Sequence, residues 1–368
     1  MFVISRNTAF TYQGKRIDTK QIGRELGVRY VLEGSVRRSG SQVRINAQLI
    51  DAETDAHLWA ERFDGDVRDL FALQDEITSR IAVALNLELL SAEAARPTER
   101  PDVQDYILRF RAAWNNPPTR DNYVQAISLL EHALALDPQS ADAQSWLATV
   151  LAGRAMNGMS DSAAADIKQA EELAGQALAA SPRSPLAHYA KGQVLRAQTQ
   201  VLGADRCEQA ITEYETALAS NRNWLNACSH IAFCKFMAGS IEEAIPLYER
   251  VLRLSPRDRY IGEYYMRIGS VHLLQSRIDE AVIWLEKARN TNAAHPGAHA
   301  HLAAAYALKG DLDRANAELA EARRLNRDGR FSSIARLKAV GYFGVPKIRA
   351  LFEATYFVGL RKAGMPEE

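Results

Sequence analysis

The chain is 368 residues long and balances 45 basic against 45 acidic side chains, so no net field points to nucleic acid or to an anionic membrane. Three cysteines, Cys207, Cys228 and Cys234, form an odd set without a CxxC pair, which argues against a disulfide framework or a zinc site and fits a reducing compartment. No apolar run approaches the roughly 18 residues that cross a bilayer, and the opening residues are not those of a signal peptide, so a cytoplasmic protein without a membrane span is expected.

The first elements read as a small α/β domain over residues 1–92. FVISR, from Phe2 to Arg6, has the pattern of a short strand, and a turn follows around Gln13-Gly14-Lys15. Asp18 or Thr19 can cap a helix that ends at Gly27. Beyond it Val43, Ile45, Ala47 and Leu49 alternate with Arg44, Asn46 and Gln48, the signature of a half-buried strand in a hairpin turning at Ser39-Gly40-Ser41. A turn over Asp51–Asp55 leads to a third strand, HLWAERFDG. Leu70, Leu73, Ile77, Ile81 and Leu85 then fall on one helical face.

The segments FVISRNTAFTYQGK, GRELGVRYVLEGSVRRSG, VRINAQLIDAETDAHLWAERFDG and LFALQDEIT resemble the TolB-N-terminal/FlgO-like domain, densely over residues 2–85. The resemblance implies a module that precedes repeat arrays in bacterial class III adenylate cyclases and related transcription regulators. Members of that family carry a further strand and helix before the stretch matching FVISR. A start truncated at Met1, and a sheet that lacks one strand and exposes an unpaired edge, are therefore expected.

From residue 103 to about 330 one pattern recurs. It is clearest in LNACSHIAFCKFMAGSIEEAIPLYERVLRLSP, Leu225–Pro256, which reads as two amphipathic helices joined at Gly239-Ser240 and stopped by Pro256. Small residues at Ala232 and Ala244 let the two backbones approach closely, and Tyr248 fills the gap to the next pair. Second helices carrying this pattern begin at Ala126, Ala170, Ala210, Ala244, Ala281 and Ala315, with spacings of 44, 40, 34, 37 and 34 residues. First helices match at Trp146-Leu147-Ala148, Lys191-Gly192, Ile231-Ala232, Ile268-Gly269 and Leu302-Ala303-Tyr306. The period and the small-residue positions resemble the tetratricopeptide (TPR) repeat. The resemblance implies a mainly α fold, a right-handed TPR α-solenoid of about six repeats. Insertions at NNPPTRDN, MNGMSDSAAAD and QTQVLGAD are expected to lengthen loops without breaking the stack.

In such a stack the first helices line a concave groove for a peptide or a partner helix. The register places Tyr189, Gln193, Arg196, Ser229, Phe233, Phe236, Met266 and Ser270 along it, flanked by Ser145 and Thr149 at one end and Ala300 and Ala304 at the other. Its middle reads as apolar and aromatic, or else Phe233 and Phe236 pack inside the superhelix. Residues 331–368 read as a C-terminal capping region with at least one amphipathic helix bearing Leu351, Phe352, Tyr356, Phe357 and Leu360. The ending RALFEATYFVGLRKAGMPEE resembles the closing segment of the same cyclase-type proteins.

No catalytic, cofactor-binding or metal-binding residue is expected. There is no GxxxxGK[ST] loop, no GxGxxG after a strand and no GxSxG. Asp51, Glu53 and Asp55 imitate the start of a calcium loop, but Ala56 and Arg62 stand where its glycine and closing glutamate belong. His295, His299 and His301 bunch in sequence, with Pro296 opening a helix between the first two. Arg37-Arg38 and Arg323-Arg324 lack the aromatic interleaving of a nucleic-acid surface. The expectation is a non-catalytic scaffold that binds a protein or peptide and no nucleic acid, with homo-oligomerisation compatible with it. The alternatives are the regulatory C-terminal half of an adenylate/guanylate cyclase-like protein, or of a transcription regulator, each without its upstream domain.

Overall fold

A computed structural model describes the chain except residues 1–3, 5–7, 10, 13–16, 67–69, 96–100, 116–117, 204, 257, 259 and 327–328. The expected FVISR strand, apart from Ile4, and the turn at Gln13-Gly14-Lys15 lie outside the described residues. The chain divides into two compact units, Met1–Arg96 and Pro97–Glu368.

In the first unit, Asp18 accepts the Lys20 N–H to cap helix α1 (Thr19–Leu26), which ends at Gly27. Strands β1 (Tyr30–Ser39), β2 (Gln42–Asp51) and β3 (His57–Asp66) form an antiparallel sheet in the order β1-β2-β3. Asp51 Oδ1 accepts the N–H groups of Glu53 and Thr54 at 2.8 and 3.0 Å, which makes Asp51–Asp55 a self-satisfied turn. Leu49 opposes Trp59 and Ile45 opposes Phe63, so one face of the sheet is continuous apolar surface. Helix α2 (Leu70–Ala94) packs Leu73, Ile77, Ile81 and Leu85 against that face. On β1, Leu32 opposes Leu49 and Val36 opposes Ile45, yet Leu32 and Val36 are 47% and 69% exposed.

The second unit is an α-solenoid of six helix hairpins. First helices are α3 (Val103–Trp114), α5 (Ala141–Met156), α7 (Pro185–Leu202), α9 (Leu225–Ala238), α11 (Ile261–Leu274) and α13 (Pro296–Lys309). Their partners are α4 (Arg120–Leu136), α6 (Ala163–Ala180), α8 (Cys207–Ser220), α10 (Ile241–Leu254), α12 (Ile278–Thr291) and α14 (Leu312–Leu325). The six signature alanines, Ala126, Ala170, Ala210, Ala244, Ala281 and Ala315, are all buried, on second helices that pack against the first helix of their hairpin. Gly192 shows why size matters: a Cβ there would meet the Tyr214 ring at 2.6 Å, so only glycine lets that tyrosine lie across α7. Tyr248 stacks on Tyr264 at 5.9 Å and so ties one hairpin to the next.

The insertions do not all become loops. QTQVLGAD was expected to lengthen one, but its first five residues extend α7 to Leu202 because no helix breaker precedes Gly203. Helices α4 to α7 run 17, 16, 18 and 18 residues, against 14 in each of α8 to α14. Extra residues are thus absorbed partly as helical turns, which satisfy their own backbone groups. After α14 come three short helices, α15 (Ile334–Val340), α16 (Pro346–Ala354) and α17 (Tyr356–Lys362).

Candidate partner-binding surface

The positions assigned to the groove lie on the first helices α7, α9 and α11, and most are buried within the chain itself. Tyr189, Gln193, Ser229, Phe233, Phe236, Met266 and Ser270 are all at most 7% exposed, and Arg196 is half-buried. The small hydroxyls are satisfied by their own helices. Ser229 donates to the Asn226 carbonyl at 2.9 Å and Ser270 to that of Met266 at 2.8 Å. Ser145 and Thr149 do the same with Ala141 and Ser145. None of these hydroxyl protons is left over for a ligand.

Tyr189 and Gln193 belong to a polar network between α7, α8 and α9. Gln193 Nε2 donates to the Tyr189 hydroxyl at 2.9 Å and lies 3.3 Å from His230 Nδ1, while the Tyr214 hydroxyl donates to Gln193 Oε1 at 3.1 Å. Burial, reinforced by the Arg196 charge, pushes the His230 imidazole well below its ordinary range, so it is neutral here. Tyr189 also stacks on Trp224 with ring centres 4.5 Å apart.

The middle of the surface is cationic as well as aromatic. Two guanidinium groups approach the Phe233 ring, Arg196 at 5.7 Å and Arg267 at 4.9 Å from its centre. Arg267 is held by Glu263, one helical turn earlier on α11, at 2.7 Å, and Glu263 also meets His295 Nε2 at 3.1 Å. Burial opposes ionisation of Glu263, but Arg267 and His295 beside it hold its carboxyl well below the usual range. Arg196 has no such carboxylate among the described residues, and its Nε is buried without a hydrogen-bond partner. Glu263, Arg267 and His230 were absent from the sequence-derived set. The i,i+4 spacing of Glu263 and Arg267 was the available signal.

The downstream part of the surface is covered by the chain's own C-terminal segment. The Val345 N–H donates to the Met237 carbonyl at 3.0 Å, and Lys347 Nζ reaches the Gly239 carbonyl at 3.4 Å. Phe352 meets Phe236 edge to face at 6.2 Å, and Tyr356 stacks on His301 of α13 at 4.4 Å. Gly359 presses on α13 so closely that a Cβ would sit 2.4 Å from the Ala304 carbonyl oxygen.

The three histidines that bunch in sequence turn to different partners. His295 meets Glu263, His299 Nδ1 lies 2.6 Å from Glu318 Oε2, and His301 Nδ1–H donates to the Gly297 carbonyl at 2.8 Å. Among the described residues no group of three His, Cys, Asp or Glu side chains converges as a metal site would. No helix among them is long and apolar enough to cross a membrane.

The tetratricopeptide repeat family model matches residues 236–299. Putative adenylate cyclase 3 of Rhizobium meliloti (strain 1021) is 39% identical over 193 residues, which is 51% of this chain and 33% of that protein. The chain thus spans a third of the length of the curated relative it matches. Among solved structures, the APC/C hetero-tetramer Cut9-Hcn1 overlaps 74% of this chain and 48% of its own with a TM-score of 0.51 and 14% identity. Pseudomonas aeruginosa pilF overlaps 64% of this chain and 96% of its own with a TM-score of 0.46 and 19% identity. Residues 236–299 therefore match the tetratricopeptide repeat, and the helix hairpins of residues 97–368 stack as a tetratricopeptide-like α-solenoid.

Proposed function

We propose that the chain is a non-catalytic, cytoplasmic scaffold that holds a protein or peptide on the first-helix surface of its repeats, in bacterial signalling. The observation that carries this reading is Arg196, a half-buried cation beside Phe233 with one nitrogen unsatisfied, on a face where every other cation of the cluster is paired. A partner carboxylate would pair with the accessible part of the Arg196 guanidinium, beside Phe233. Cross-linking from source cells, with the native chain and Arg196→Glu as bait, tests this. A partner captured by the native chain and lost with Arg196→Glu supports the reading, and equal capture by both refutes it. Tyr189, Gln193, Phe233 and Phe236 then act by shaping the floor, while Ser229, Met266 and Ser270 support it from beneath.

A second reading is favoured by the relative named putative adenylate cyclase 3. Here the chain is the regulatory C-terminal part of an adenylate/guanylate cyclase-like protein, with residues 1–92 a TolB-N-terminal/FlgO-like module, 103–330 the repeats and 331–368 their cap. The density of the sequence match over residues 2–85 supports that assignment of the module. The intact mass of the native product decides between them. A product of 40.9 kDa supports the free-standing scaffold, and a much larger one supports the cyclase-like protein.

A further inference from the structure

In a repeat solenoid each hairpin contacts its neighbours, so contacts between distant repeats are the exception. The C-terminal segment is that exception. It leaves the last repeat, meets α9 first at Met237 and Gly239, where Lys347 and Gly239 are 108 residues apart in sequence, and then runs back across α11 to α13. Its helices α16 and α17 are nine and seven residues long, too short to persist without a surface to lie on. What they bury is concentrated and aromatic: Ile348, Phe352, Tyr356, Phe357 and Leu360 are all at most 3% exposed. The chain re-enters through a clasp in which the N–H groups of Ile334 and Ala335 donate to the carbonyls of Pro366 and Glu367 at 2.9 Å.

We propose that the segment from Phe343 to Leu360 is an intramolecular ligand of the partner surface. The protein partner engaging α9 to α13 is then a short amphipathic helix of the same chemistry, and it binds by displacing the tail. This rests on the partner-surface reading above. The tail itself specifies the partner. It presents an aromatic residue for Phe236, a second one four residues on for His301, and a glycine three residues further, where the Ala304 backbone leaves no room for a Cβ. Removing the tail leaves the contacts inside every hairpin intact, so the surface can open without unfolding the stack.

The experiment uses the full chain and a fluorescent synthetic peptide of residues 341–364, followed by anisotropy. In Gly359→Val the added carbons collide with the α13 backbone and unseat the tail, while the peptide keeps its glycine. The tethered tail competes at millimolar effective concentration, so the native chain should bind the peptide about 100-fold more weakly than Gly359→Val. Equal affinity for both overturns the inference, as does absence of binding to a variant whose circular dichroism matches the native chain. Should Gly359→Val fail to fold, hydrogen exchange on the native chain decides. Amides of α16 and α17 exchanging about tenfold or more faster than those of α9 and α13 support a displaceable tail, and exchange at one common rate overturns it. The Arg196→Glu result stands apart from these outcomes, so failure of the tail inference and failure of the partner-surface reading are told apart.

Discussion

The two units solve the problem of covering an apolar face in opposite ways. The N-terminal sheet relies on one helix, α2, whose Ile77 reaches the core formed by Ala47, Leu49, Trp59 and Phe63. It leaves Leu32 and Val36 of an edge strand exposed on the same face. The repeats cover each helix with the next, and their core is largely alanine at essentially zero exposure. A sheet packed by few large side chains depends heavily on each of them. A stack of small-residue contacts spreads the same burden over many positions, and its weak point moves to its ends and to the surface left open along the first helices.

The largest expected effects come from emptying each core. Phe63→Ala should cost about 3–5 kcal/mol in the N-terminal unit, and Tyr214→Ala a similar amount in the repeats. Hydrogen exchange at β2 and at α9 separates the two. Loss of protection at β2 alone for Phe63→Ala, and centred on α7 to α9 for Tyr214→Ala, is the expected result. Uniform loss across both units in either variant would break the contrast drawn here.

Acid should weaken the downstream repeats next. Burial pushes the His301 imidazole down to about 4 against an ordinary value of 6.5, opposed by the Gly297 carbonyl it donates to. The unfolded chain then takes up a proton that the folded chain refuses, so stability falls as pH drops from 6.5 towards 4. Groups facing His301 are Glu263, Arg267, His295 and the Tyr356 ring. The loss is on the order of 1–3 kcal/mol and should shrink in His301→Gln, as urea titrations across that range would show. The His299–Glu318 pair works the other way at its upper end. The Glu318 hydrogen bond raises the His299 pKa, so that contribution is complete below 6.5 and is lost as pH rises through the raised value.

A smaller effect concerns association. Val36→Lys should leave the unfolding midpoint unchanged and slow aggregation of the chain, measured by light scattering, because it places a charge on an exposed apolar edge. The smallest is Arg44→Ala. The Arg44–Asp64 pair is about half exposed on both sides, so its removal should give no measurable shift in the denaturation midpoint.

Much of this molecule can be read from its residues. The alternation at Val43, Ile45, Ala47 and Leu49 marks β2, Asp18 and Gly27 bracket α1, and six alanines set the repeat register. Those features are local: they depend on periodicities of two and 3.6 residues and on which side chains fit a close backbone approach. The surface was less legible. The expected groove positions fall on α7, α9 and α11, whereas the half-buried His230, Glu263 and Arg267 stand at other positions of α9 and α11 that the repeat pattern does not mark.

The sequence by itself determined the hairpins, their order and the small-residue contacts, because each is decided between residues fewer than about 40 apart in a repeat of that length. Tertiary structure alone decided what lies on the open side of the first helices. Phe236 and Phe352, Gly239 and Lys347, and Ala304 and Gly359 meet across gaps in sequence that no local pattern encodes. The cause is geometric. A solenoid brings many turns to one continuous surface, and whichever distant segment presents complementary aromatic area will lie down on it.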